Sequence, residues 1–184
     1  QKEITDGDVL SLGKHKLKFI TAQMVHWPEV IMTYDNTDKI LFSADAFGKF
    51  GTIDEEEWLP EARRYYINIV GKYGMQVQTL LKKIETLEVK TICPLHGPIL
   101  NGNLEYYIEK YNTWSSYKPE EKGILLAVAS IHGNTYDVAN EMRKMLKEEN
   151  VTLIDLTRED IPKAVGEAFK YDKLIVAASS YDSG

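Results

Sequence analysis

Apolar and polar residues alternate along the first forty positions, the pattern of strands with one face buried. Residues 16–21 show it most plainly, with Leu17, Phe19 and Ile20 set among Lys16, Lys18 and Thr21. Runs of similar character at 8–12, 23–27, 30–34 and 39–43 predict four more strands. Gly13-Lys14 and the Asp- and Asn-bearing stretch 35–38 supply the turns. Pro28 ends the run 23–27 and leaves His26 close to the strand's exit. The period then lengthens. Residues 55–71 predict a helix with an acidic first turn, which suits the positive end of a helix dipole. Residues 75–87 predict a second, with Val77, Leu80, Leu81 and Ile84 on one face. A short strand, 89–93, and a helix, 103–117, follow. Tyr106, Tyr107, Tyr111 and Trp114 on that helix read as packing against a neighbouring sheet or domain, with a cofactor wall as the alternative.

After residue 122 the pattern changes again. Residues 123–129 are almost continuously apolar, as expected of a strand buried on both faces of a parallel sheet. Helix 136–149, strand 151–156, helix 161–169 and strand 173–178 complete a β-α-β-α-β alternation, the signature of a doubly wound parallel sheet. The polar, proline-bearing stretch 117–122 separates the two characters. We therefore expect domains at 1–117 and 123–184 joined by a linker at 118–122. The chain begins at Gln1, and its last strand has only just opened a new loop at Gly184, so a segment of a longer protein is expected.

Composition removes several functional classes. A net charge of −6 lacks the basic footprint of nucleic-acid binding and gives no attraction to an anionic membrane. No apolar run approaches the roughly 20 residues of a membrane span. Residues 1–7 are polar and acidic, unlike a signal peptide. A lone Cys93 cannot form an internal disulfide, which fits a reducing cytoplasm.

Two stretches carry candidate chemistry. In Pro94-Leu95-His96-Gly97-Pro98, prolines on both sides restrict the backbone and Gly97 permits a turn, so a stiff loop at a strand end aims one imidazole. This suits a metal ligand; a plain turn residue is the alternative. In Ser130-Ile131-His132-Gly133-Asn134-Thr135, hydroxyls and free N–H groups gather where a buried strand meets a helix, a ready anion site. No Lys or Arg lies in that loop, which favours a monophosphate. Both the Gly-Lys-Ser/Thr pattern and the Gly-x-Gly-x-x-Gly pattern are absent. Helix capping alone is the competing explanation.

The loop at 130–135 resembles the FMN phosphate loop of flavodoxins, and Ser179-Ser180-Tyr181-Asp182-Ser183-Gly184 resembles their second flavin loop. Upstream, His26-Trp27-Pro28-Glu29, Ser43-Ala44-Asp45-Ala46-Phe47-Gly48 and the His96 loop occur in the order seen in flavodiiron proteins. Those proteins fuse a metallo-β-lactamase-like domain to a flavodoxin-like one, and the resemblance covers essentially the whole chain. It implies an α/β fold: part of an αββα sandwich, then part of a flavodoxin-like doubly wound sheet.

The resemblance also implies roles. His26, Asp45 and His96 would be ligands of two non-haem iron ions, with Asp45 bridging; imidazole and carboxylate suit such iron. Ser130, His132, Gly133, Asn134 and Thr135 would cradle the phosphate of FMN, and Ser180, Tyr181 and Asp182 would approach its ring. The implied activity is reduction of O2 to water or of NO to nitrous oxide, with electrons from a rubredoxin-like or other reductase. A head-to-tail homodimer would bring one subunit's FMN near the other's irons. The family's His-x-Glu-x-Asp motif does not occur in these residues; in the family it lies upstream. A zinc hydrolase on the same fold and a metal-free electron-transfer flavoprotein are the rival readings.

Overall fold

The computed structural model describes residues 3–51, 58–146 and 150–180. The chain forms two compact units, Gln1–Tyr117 and Lys118–Gly184. No helix among the described residues is long and apolar enough to cross a membrane.

The first unit is built on a six-stranded sheet in sequential order. Its strands are β1 (Val9–Leu12), β2 (His15–Thr21), β3 (Ile31–Asp35), β4 (Ile40–Phe42), β5 (Thr91–Cys93) and β6 (Leu100–Asn101). Neighbours run antiparallel except β4 and β5, which are parallel and pair Phe42 with Cys93. A parallel pair needs a long crossover, and here it contains α1 (Trp58–Tyr65) and α2 (Gly74–Ile84). Ile20, Met32, Tyr34, Leu41, Ile92 and Leu100 are fully or almost fully buried and form the sheet's share of the core.

Several elements differ from the sequence pattern. Residues 23–27 form a turn rather than a strand: the Val25 amide donates to the Ala22 carbonyl and the Met24 amide to that of Trp27. The alternation there reflects the burial of Ala22 and Val25, not an extended backbone. The helices expected at 55–71 and 75–87 are linked without a break by a π-helical stretch, Tyr66–Val70, and a 3-10 turn, Gly71–Tyr73. This buries Tyr66, Ile67 and Val70. The start of the first of these helices lies outside the described residues.

Helix α3 (Leu104–Ser115) begins at Asn103, whose side chain accepts from the Tyr106 amide. Its aromatic positions pack inside the unit. Tyr111 and Trp114 are buried, Trp114 stacks on Trp58, and Tyr111 meets Phe47 at 4.3 Å between ring centres. Such contacts add to the area that these rings bury.

The second unit carries β7 (Glu121–Ala129), α4 (Asn134–Met145), β8 (Val151–Asp155), α5 (Ile161–Lys170) and β9 (Tyr171–Ala178). The three strands are parallel in the order β8-β7-β9, with β7 central. That position explains the continuous apolar run, since Ile124, Leu125, Leu126, Ala127 and Val128 are all buried. Strand β7 starts two residues earlier than expected, so the linker proposed at 118–122 is shortened to 118–120. The end of the helix expected at 136–149 falls outside the described residues.

Candidate metal centre and phosphate loop

The register of β4 and β5 brings two of the candidate ligands together. Asp45 follows β4 and His96 follows β5, each three residues beyond the paired Phe42 and Cys93. His26 comes from the turn after β2. Its Nε2 lies 3.2 Å from Asp45 Oδ2, while His96 Nε2 lies 3.8 Å from Asp45 Oδ1. The two imidazoles thus approach different oxygens of one carboxylate. All three side chains are partly exposed.

The loop that carries Asp45 is held at many points. Ser43 is buried and its hydroxyl donates to the Ala46 carbonyl at 2.7 Å. The Leu95 amide donates to the Ala44 carbonyl, tying this loop to the His96 loop. The Phe47 amide donates to Tyr111 Oη at 2.6 Å, and Trp58 Nε1 donates to the Phe47 carbonyl at 3.0 Å. Ala44 and Phe47 both hold positive φ, at 51° and 66°. Backbone of this kind persists where the surroundings over-determine it.

The Nδ1 of His96 lies 2.9 Å from the Lys49 carbonyl, which can only accept, so Nδ1 donates there. This turns Nε2 toward a carboxylate oxygen of Asp45 at 3.8 Å. An outer hydrogen bond of this kind is the usual support of a metal-bound histidine. The donor set therefore fits a metal ion, and the shared carboxylate fits two.

Sequence reasoning missed two neighbours of this centre. Gly48 lies directly beneath the His96 ring: a Cβ there would fall 2.4 Å from Cε1. Its lack of a side chain makes room for the imidazole. Tyr65 meets the His96 ring edge-on at 4.6 Å. Its buried hydroxyl has no hydrogen-bond partner among the described residues. Burial raises the Tyr65 pKa strongly, and the nearby Asp45 charge adds to the rise, so this hydroxyl keeps its proton. No sequence signal separates Tyr65 from the adjacent Tyr66, which is a core residue.

In the second unit, Ser130, Ile131, His132, Gly133 and Tyr136 line a cavity of about 510 Å³ together with Asp155, Arg158 and Glu159 from the end of β8 and the loop after it. Gly133 stands at the start of α4 with φ of +90°, a conformation that glycine adopts without strain. Ser130 Oγ is buried and without a partner among the described residues, as expected of a group awaiting an acceptor. These features fit a bound phosphate, although Asp155 and Glu159 share the lining with Arg158.

Asn134 and Thr135 do not line the cavity; Thr135 Oγ1 instead pairs with Ser179 Oγ at 2.7 Å. Ser180 is exposed, and Tyr181 and Asp182 lie outside the described residues. Arg158 supplies a cation that the loop itself lacks. Only the pairing of β7 with β8 places it there, so the linear sequence gives no hint of it. Asp155 is held below the usual carboxylate range by hydrogen bonds from the Thr157 hydroxyl and amide, with a smaller contribution from Arg158.

A family model described as ODP family beta lactamase matches residues 2–97. An uncharacterized protein of Methanocaldococcus jannaschii is 33% identical over 155 residues, covering 80% of this chain and 39% of the relative. An anaerobic nitric oxide reductase flavorubredoxin of Aliivibrio salmonicida is 29% identical, covering 99% of this chain and 39% of the relative. The chain thus spans about two fifths of the length of these relatives. Among solved structures, the flavodiiron protein from Giardia intestinalis superposes with a TM-score of 0.80 at 29% identity, over 89% of this chain and 43% of that one. The rubredoxin oxygen:oxidoreductase of Desulfovibrio gigas superposes with a TM-score of 0.85 over 95% of this chain and 47% of that one; at 24% identity it speaks to the fold alone.

Proposed function

We infer that this chain, which belongs to the ODP family of beta lactamases and matches a segment of the flavodiiron proteins, comes from an oxidoreductase that passes electrons from FMN to a non-haem diiron centre. The substrate is O2, reduced to water, or NO, reduced to nitrous oxide. The observation that carries this reading is the Asp45 carboxylate, with one oxygen turned to His26 and the other to His96.

Two irons, when bound, would supply the electrons and the open coordination positions for a diatomic gas. The protein's own residues have separate tasks. Asp45 would hold the cations through its two oxygens, which face His26 and His96. The Lys49 carbonyl fixes the direction of the His96 ring. Tyr65 packs edge-on against that ring and helps to hold its direction. In the second unit, Ser130 and the turn at Gly133 ahead of α4 would hold the phosphate of FMN, with Arg158 as the cation among the cavity's lining.

The further ligands that a diiron site needs would come from outside these 184 residues. The electron donor would be a rubredoxin-like protein or another reductase, the working form a head-to-tail homodimer, and the compartment the cytoplasm. Metal analysis and a visible spectrum of the full-length protein test the reading. Iron together with flavin supports it. Zinc without flavin would instead make it a hydrolase, and flavin without metal a plain electron carrier.

A further inference from the structure

The geometry points to a second, independent metal site in the first unit: His15, Asp35 and Asp38 form a three-ligand site for a divalent transition ion of the Zn2+ type. The three donor atoms all lie within 4.8 Å of one another. His15 Nδ1 is 2.7 Å from Asp35 Oδ2 and 3.8 Å from Asp38 Oδ2. Donors around a tetrahedral ion with bonds of about 2.0–2.2 Å stand roughly 3.3–3.6 Å apart. The two separations from His15 bracket that value, and an ion would take the place of the His15–Asp35 hydrogen bond.

This site is distinct from the centre at Asp45. His15 opens β2 and Asp35 closes β3, whereas His26 follows the far end of β2 and Asp45 the far end of β4. Roughly 20 Å of strand separates the two ends. The two sites therefore share no ligand and can be tested separately.

Asp35 is the anchor. Its side chain is only 9% exposed. Its Oδ1 is engaged by the amides of Thr37 and Asp38, at 2.8 and 3.4 Å, which leaves Oδ2 directed at the imidazole. Asp38 and His15 are more open, 53% and 36% exposed, and provide an entry path from solvent. Two carboxylates and a neutral imidazole carry two negative charges, matching a divalent ion. The nitrogen donor selects a borderline ion such as Zn2+ over Mg2+ or Ca2+, which prefer oxygen alone. Water would complete the coordination. Bound metal would tie the β1–β2 turn to the β3–β4 turn, since the three ligands come from both.

The test is a calorimetric titration of Zn2+ into the metal-free 184-residue chain carrying His26→Ala, which disables the centre at Asp45, repeated with Asp38→Asn or His15→Gln added. Asp35 is left intact because its carboxylate also holds a turn, and circular dichroism checks that each variant is folded. One equivalent of Zn2+ should bind the His26→Ala chain and raise its Tm. That equivalent and that Tm shift should disappear when either Asp38→Asn or His15→Gln is added. Failure of the reading at Asp45 would leave this outcome untouched. Binding that persists with Asp38→Asn and with His15→Gln, or the absence of any equivalent in the His26→Ala chain, would overturn the site and leave His15 and Asp35 as an ordinary ion pair.

Discussion

Gly48 forms the floor on which the His96 ring rests, and a methyl group at that position would lie 2.4 Å from the ring's Cε1. Contact that short cannot be absorbed by the methyl, which is fixed to the backbone, so the imidazole must turn away. Gly48→Ala should therefore separate His96 from Asp45 while leaving the sheet intact. In the full-length protein, iron content should fall with FMN content unchanged. In this chain, the His96 ring resonances should shift while amide spectra of β1–β4 stay in place.

Replacing the proposed bridge is a sharper test of the same centre. Asp45→Asn keeps the shape of the side chain and removes its charge, and a neutral amide cannot hold two cations as a carboxylate does. Full-length Asp45→Asn should lose both irons and the turnover of O2 or NO, yet retain FMN and the fold. Two irons and full turnover in that variant would remove Asp45 from the bridging role.

The support of the Asp45 loop can be measured as stability. Tyr111 Oη accepts from the Phe47 amide at 2.6 Å, deep in the core. Tyr111→Phe leaves that buried N–H without its acceptor, at a cost of about 1–3 kcal/mol. Urea unfolding of the first unit should move to a lower midpoint with an unchanged slope.

In the phosphate loop, the structure directs attention to Ser130. Its hydroxyl is buried and without a partner among the described residues, whereas Thr135 already pairs with Ser179. A charge-assisted hydrogen bond of about 1.5–3 kcal/mol corresponds to roughly tenfold to a hundredfold in affinity. Ser130→Ala should raise the FMN dissociation constant of the full-length protein by that factor. Thr135→Ala should have a smaller effect, because the hydroxyl must first give up Ser179.

Acid should loosen the turn after β8. Hydrogen bonds from Thr157 hold the Asp155 carboxyl below its ordinary range. Its folded pKa is lower than its unfolded one, so this stabilisation is complete above about pH 4 and is lost as pH falls through the folded value. The unfolding midpoint of the second unit should therefore drop on acidification below about pH 4. Asp155→Asn should flatten that part of the profile.

Much of this architecture was legible because burial imposes a period. Leu17 and Phe19, set between Lys16 and Lys18, mark β2, and the unbroken run at Ile124–Val128 marks a central parallel strand, which has two faces to bury. The turn at 23–27 carries a strand's pattern because Ala22 and Val25 are buried from a folded-back chain, and burial alone does not report direction. Strand β6 is two residues long, too short to show any period. At the candidate centre, His26, Asp45 and His96 stood out as residue types at strand ends. The seat that Gly48 provides for His96, and the place of Arg158 beside Ser130, depend on strand pairing between distant segments. No local pattern encodes either.

The parallel pairing of β4 with β5 has an evolutionary consequence. Asp45 and His96 stand at equal offsets from one paired rung, Phe42 with Cys93. Their separation is set by sheet register, and a slip of one residue would turn every side chain of the strand to the opposite face. It does not depend on how many residues join the strands. The intervening crossover can gain or lose turns, reshaping the approach to the centre from one descendant protein to another. That segment can therefore change in length and shape while Asp45 and His96 keep their relative placement.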